Sequence, residues 1–133
     1  MATGPTLHVQ IVTPERSAFD GSASEVVVPA WDGELGVYPQ HDALLCLLRA
    51  GTFKVWGSDG LQTFIVGRGF AEIGPDRVTV LTDSAETLDG VDVDQARKDL
   101  AHAEAELAVH EDSSEKHNQA QILYELARAR LQL

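Results

Sequence analysis

Five histidines, one cysteine and 21 acidic side chains are the groups with which this 133-residue chain could perform acid–base, nucleophilic or metal chemistry. The histidines (His8, His41, His102, His110 and His117) include no H-x-H or H-x-x-x-H pair, and one cysteine cannot anchor a zinc site. On a β-rich module only His8 and His41 are available, too few for a metal cluster on adjacent strands. Cys46 lies inside Leu44-Leu45-Cys46-Leu47-Leu48 and reads as a small core residue, not a nucleophile. A phosphate-cradling loop needs backbone N–H groups and a lysine at fixed spacing from glycines, and neither that pattern nor G-x-G-x-x-G occurs. Gly-x-Ser-x-Gly is also missing, so no nucleophile elbow is indicated. The glycines of Gly67-Arg68-Gly69-Phe70 stand between two strand-like runs, where close approach of two backbones explains them. No catalytic residue and no metal ligand is assigned.

The elements that would position any site fall into two parts. Leu7, Val9 and Ile11 alternate with polar neighbours, as a half-buried strand requires. Pro14–Ser17 and Asp20-Gly21 read as turns, and Glu25–Val28 as a β-branched run ended by Pro29. Thr52–Trp56 and Gln62–Val66 flank Ser58-Asp59-Gly60 as the arms of a hairpin, and Val78–Leu81 is a last strand after Pro75-Asp76. Short strands at these intervals predict an antiparallel sandwich or barrel over residues 1–89.

Beyond Asp89-Gly90, glycine and proline vanish and alanine and charge take over. Val93, Ala96, Leu100, Ala103, Leu107 and His110 form a seam at helical spacing, with Asp92 and Gln95 as a capping box. Asp112 with Glu115 offers a second cap, and a second helix carries Ile122, Leu126, Ala129 and Leu133 on one face. The pattern predicts a helical hairpin over residues 90–133, with two helices of about 17 residues each. Helices of that length are marginal alone, and an alanine-rich seam contributes little per contact. The hairpin is therefore expected to be a weakly held appendage, able to dock and undock.

A net charge of −11 opposes nucleic acid or an anionic membrane surface as a direct partner. No apolar run is long enough to span a bilayer, and the N-terminus lacks the features of a signal peptide. A lone cysteine fits a reducing compartment.

Gly33-Glu34-Leu35-Gly36-Val37-Tyr38-Pro39-Gln40-His41, followed by Ala43-Leu44-Leu45, resembles the G-E-L-G-x-x-P-x-H signature of the epsilon subunit of bacterial rotary ATP synthase. In this segment Gly33 and Gly36 allow positive φ, and Pro39 stiffens the exit. The resemblance continues through Gly69–Ile73 and Val78–Glu86 and covers nearly the whole chain in register. It implies a flattened sandwich of about ten strands that joins the gamma subunit to the ring of membrane-embedded c subunits. It also implies a C-terminal hairpin that folds against the sandwich or extends to the catalytic alpha and beta subunits and inhibits ATP hydrolysis. The expected protein is a non-catalytic coupling and regulatory subunit, peripheral on the cytoplasmic face of the bacterial inner membrane. A methionine start without a transit peptide favours bacteria over plastids.

Carried over residue by residue, the resemblance makes Trp31, Asp32 and Glu34 candidates for the c-ring contact, and His41 for the gamma contact. Gly33, Leu35 and Gly36 equally serve to shape the turn, and His41 equally serves as a hydrogen-bonded histidine of the sandwich. Lys116, Arg128 and Arg130 resemble the basic residues with which an extended hairpin meets acidic segments of the catalytic subunits. For Arg128 and Arg130, favourable placement at a helix C-terminus is a sufficient alternative. Some relatives bind ATP through an I-D-x-x-R-A motif and two arginines of the second helix. Asp92, Arg97 and Arg130 are the matching candidates here, but Gln95 and Leu126 fall where arginines belong. Weak ATP binding or none is therefore expected, and no other cofactor. Rival readings are a generic adaptor with a docking hairpin, a nucleotide sensor, and a small β-fold metalloenzyme.

Overall fold

A computed structural model describes residues 4–111 and 114–133. The order of elements is nine strands, a short 3-10 turn and two helices. The strands are β1 (Leu7–Val12), β2 (Ser17–Ala30), β3 (Gly33–Val37), β4 (Leu44–Leu48), β5 (Gly51–Gly57), β6 (Gly60–Val66), β7 (Gly69–Ile73), β8 (Arg77–Thr82) and β9 (Ala85–Thr87). After the turn Leu88–Gly90 come α1 (Val93–Val109) and α2 (Glu115–Arg130).

The strands follow the path β1-β8-β7-β4-β2-β5-β6-β9, with β3 beside β2, and β2 also pairs with β1. That last pairing closes the sheet on itself, giving a flattened sandwich in which β1 and β8 are parallel. The long β2 belongs to both layers. Its N-terminal half pairs with β1, and its C-terminal half with β3 and β5.

Alternation decides what faces inward. Leu7, Val9 and Ile11 of β1, Val78 and Val80 of β8, and Phe53 and Val55 of β5 are all fully buried. Together with Val26, Val28, Phe64 and Val66 they form one core between the layers. The β5–β6 hairpin turns at Ser58-Asp59 with Gly60 at φ 104, where a Cβ would be strained.

Three local expectations are corrected. Asp20 and Gly21 form no turn: both lie within β2, paired with Gln10 and Val9, because the ladder to β1 outweighs their turn propensity. Pro29 does not end the run, since β2 continues to Ala30 where the strand pairs with β3. In the signature segment Gly33 has positive φ (138) and so does Gln40 (71), whereas Gly36 is an ordinary strand residue opposite Val27. The described strands number nine, the long β2 serving where two would be expected.

The helices are 17 and 16 residues long. Asp92 caps α1 by accepting from the Gln95 N–H at 3.0 Å. Ser114 caps α2 by accepting from the His117 N–H at 3.0 Å; Asp112, the cap expected from sequence, lies outside the described residues. Every buried residue of the two helices is alanine: Ala96, Ala103, Ala120, Ala127 and Ala129. The face expected for α2 is therefore revised in part: Ala129 is buried and Leu126 half-buried as expected, whereas Ile122 and Leu133 are exposed and Ala120 and Ala127 join the buried set.

Candidate functional site

Two surfaces and one ionic joint distinguish the molecule. The first surface is a turn. Trp31 and Asp32 form the tight connection between β2 and β3, and Glu34 follows on β3; all three are exposed. The positive φ of Gly33 permits this reversal, so the turn and its presented side chains come from one local constraint. His41 is not part of it. It sits in the loop after β3, where its ring Nδ1 donates to the Asp42 carbonyl at 2.6 Å.

The second surface is an apolar strip that pairing register explains. Leu47 of β4 lies opposite Phe70 of β7, Phe70 opposite Leu81 of β8, and Leu81 opposite Val12 of β1. Their common face is outward, and Leu47, Phe70 and Leu81 remain 59%, 49% and 48% exposed. Leu45 extends the strip towards Trp31 and Leu35 across an open groove. Adjacent exposed apolar side chains in a row mark a contact surface more strongly than any of them alone. Cys46, on the opposite side of β4, is half-buried against the core, and burial pushes its thiol pKa up, which keeps it protonated and unreactive.

The ionic joint fixes the hairpin to the sandwich. Arg68, in the turn between β6 and β7, donates from Nη2 and Nε to both carboxylate oxygens of Glu125 on α2, at 2.7 and 3.2 Å. The Glu125 side chain is 8% exposed. The carboxylate raises the Arg68 pKa further, against the opposing effect of burial. Arg130 of α2 donates to Glu86 at 2.5 Å and lies 3.7 Å from Asp99 of α1, so one guanidinium ties both helices to β9. Gln132 reaches Thr52 of β5 at 3.1 Å.

The remaining sequence candidates are dispersed. Lys116 is at the first turn of α2, beside His102 and Glu106 of α1. Arg128 stacks on Tyr124 of its own helix, 5.5 Å from the ring centroid. Arg97 pairs with Asp94 at 3.5 Å in solvent, and Asp92 serves as a helix cap. Asp92, Arg97 and Arg130 are therefore each engaged separately. Sequence reasoning missed Glu125 and the role of Arg68, although the two glycines flanking Arg68 had marked its turn. Among the described residues no group of three or more metal-ligating side chains occurs, and no helix is long and apolar enough to cross a membrane.

Comparison with known proteins agrees with this architecture. The model of the ATP synthase delta/epsilon chain β-sandwich domain matches residues 6–88. The ATP synthase epsilon chain of Synechococcus sp. (strain WH7803) is 38% identical over 129 residues, covering 96% of this chain and 95% of that one. The epsilon chain of Polaromonas naphthalenivorans is 41% identical over 105 residues, covering 78% and 75%. A chain of the Euglena gracilis mitochondrial ATP synthase superposes with a TM-score of 0.82 at 18% identity, over 97% of this chain and 81% of that chain, which shows a shared fold. Sandwich, hairpin and sequence kinship together make this chain a member of the ATP synthase delta/epsilon family, among its non-catalytic epsilon chains.

Proposed function

We propose that the chain is the central-stalk subunit that joins the gamma subunit to the c-ring of a proton-translocating ATP synthase, and that its hairpin restrains ATP hydrolysis. The observation that carries the coupling role is a pair of exposed surfaces of different character on one sandwich, the apolar strip and the turn that adjoins it. The apolar Leu47–Phe70–Leu81 strip suits burial against a large protein face, and we assign it to gamma. The Trp31, Asp32 and Glu34 turn is compact, protruding and mixed in polarity, as a contact with the short loops of the ring requires. Bacterial relatives favour the cytoplasmic face of the inner membrane as its location, held there through its partners.

The regulatory role rests on how the hairpin is held. The sandwich meets the hairpin chiefly through α2, along β5 and β6, and the buried residues of α2 are all alanines, worth about 0.8 kcal/mol per methyl-sized group, so the polar joints at Arg68 and Arg130 add to a modest apolar contact. Such a contact can be exchanged for another. On extension Arg130 is released from Glu86 and Asp99 and joins Lys116 and Arg128 as a basic set for acidic segments of the alpha and beta subunits.

The same tie argues against ATP sensing. In the docked state Arg130 already meets two carboxylates where a triphosphate would need a free donor. Calorimetry is expected to detect no ATP binding at micromolar concentrations, and a micromolar dissociation constant would reinstate the sensor reading. The coupling role itself requires the chain to bind a catalytic head that retains gamma but lacks this subunit; absence of binding would refute it.

A further inference from the structure

Arg68 makes two contacts of different kinds at once. Its guanidinium chelates Glu125 of α2, and the same group lies over the indole of Trp31, 5.4 Å from the ring centroid. Trp31 belongs to the exposed β2–β3 turn, whereas Glu125 belongs to the hairpin. One cation therefore bridges the turn and the hairpin, beside a cleft of about 360 Å³ that both of them line. That cleft has Ala30, Gly33 and Glu34 of the turn on one side and Gln121, Tyr124 and Arg128 of α2 on the other.

The position of Arg68 is not adjustable. Its carbonyl accepts from the Thr82 hydroxyl at 3.1 Å and from the Asp83 N–H at 3.1 Å. Gly67 and Gly69 on either side press so close to Ser84 and Leu81 that neither tolerates a Cβ without movement. A guanidinium on a fixed stem, stacked on one partner and forked onto another, has its orientation set by both. Loss of the indole leaves the side chain rotamers to sample, and the fork onto Glu125 becomes harder to hold. Among the described residues Glu125 has only Gln121 as a further hydrogen-bond partner, at 3.3 Å, so its nearly buried carboxylate depends on Arg68.

We propose that Arg68 is a coupler through which the Trp31 turn and the docked hairpin sense one another. On the reading that this turn meets the c-ring, capture of the Trp31 face by a ring loop weakens the Arg68–Glu125 joint and favours release of the hairpin. Ring engagement and hairpin docking would then oppose each other.

The test is amide hydrogen exchange in the isolated full-length chain, followed through Glu115–Arg130, with the amides of Val78 and Val80 as the reference for the sandwich. Glu125→Gln is expected to raise the opening constant of α2 by about tenfold, since it removes a charged, bidentate partner. Trp31→Leu, which removes the stack under the Arg68 guanidinium, should raise it by about threefold. In an Arg68→Met background Trp31→Leu should have no further effect. The coupler is overturned if Trp31→Leu leaves α2 exchange unchanged, or alters it equally with and without Arg68. Should Arg68→Met disturb the sandwich amides, Arg68→Gln replaces it under the same criteria. These arms use no partner. If they succeed and purified c-ring still leaves α2 exchange unaltered, the ring assignment of the turn fails while the coupler stands.

Discussion

Gly69→Ala will destabilise the sandwich by about 3 kcal/mol, the upper part of the range for forcing atoms into a filled space. A Cβ on Gly69 would lie 1.9 Å from the Leu81 carbonyl oxygen and 2.9 Å from the Thr82 Cα. Both obstacles are backbone, so no side-chain rotation relieves them. Gly69 pairs with Thr82 on one side and Leu48 on the other, and moving it would open the β7–β8 or the β4–β7 ladder. The melting temperature should fall by roughly 10 °C for a domain of this size. Urea denaturation checks the result directly, and a loss under about 0.5 kcal/mol, the size of an ordinary surface effect, would contradict the geometry.

Phe70→Glu, one residue further on, should leave the isolated chain intact and cripple its assembly. The ring faces outward at the centre of the strip formed by Leu47, Phe70 and Leu81. Its replacement removes no core contact, so stability should change by less than about 0.5 kcal/mol. In a complex with gamma the same carboxylate would be buried without a partner at the middle of an apolar interface. Central aromatic anchors are typically worth 2 kcal/mol or more, and an unpaired charge adds to the loss, giving about hundredfold weaker binding. Leu61→Glu is the control, since Leu61 is 51% exposed but lies on β6, away from the strip. Titration of the gamma-containing head with each variant decides the matter. A change of less than about threefold for Phe70→Glu would move the gamma interface elsewhere.

Neighbouring residues 69 and 70 show what sequence can and cannot reveal here. The glycines around Arg68 could be read as close backbone approach, because glycine between strands has few other uses, and Gly69 against Leu81 bears this out. The outward strip was not visible, because it depends on which strands become neighbours. Leu47, Phe70 and Leu81 are far apart in the chain, and each alone is an unremarkable apolar residue. Strands β1, β5 and β8 were legible because one face of each is buried in alternation, and β6, whose last three residues are all buried, because the Ser58-Asp59-Gly60 turn marks it as the second arm of a hairpin. Strand β2 was cut short in the sequence reading because Asp20-Gly21 and Pro29 are turn residues by propensity, and only long-range pairing overrides them.

The hairpin divides in the same way. Its existence and its cap at Asp92 follow from local chemistry, whereas the cap of α2 falls on Ser114, which the sequence did not single out. Its packed face does not follow from local chemistry. Periodicity pointed to Ile122, Leu126, Ala129 and Leu133, of which only Ala129 is buried and Leu126 half-buried, whereas packing of the helices also buries Ala120 and Ala127. The contact between Arg68 and Glu125 spans 57 residues and joins two parts of the protein, so no local pattern announces it. The candidate site therefore was legible where one segment forms it, as in the Trp31–Glu34 turn, and hidden where two segments must meet.

Attachment through the sandwich and restraint of hydrolysis by the hairpin can be separated in one experiment. The most direct measurement is ATP hydrolysis by the matching catalytic head, stripped of this subunit and supplied with either the full chain or a chain ending at Asp89. Both chains should bind, and only the full chain should inhibit. Equal rates with the two, or inhibition by the truncated chain alone, would contradict a regulatory hairpin.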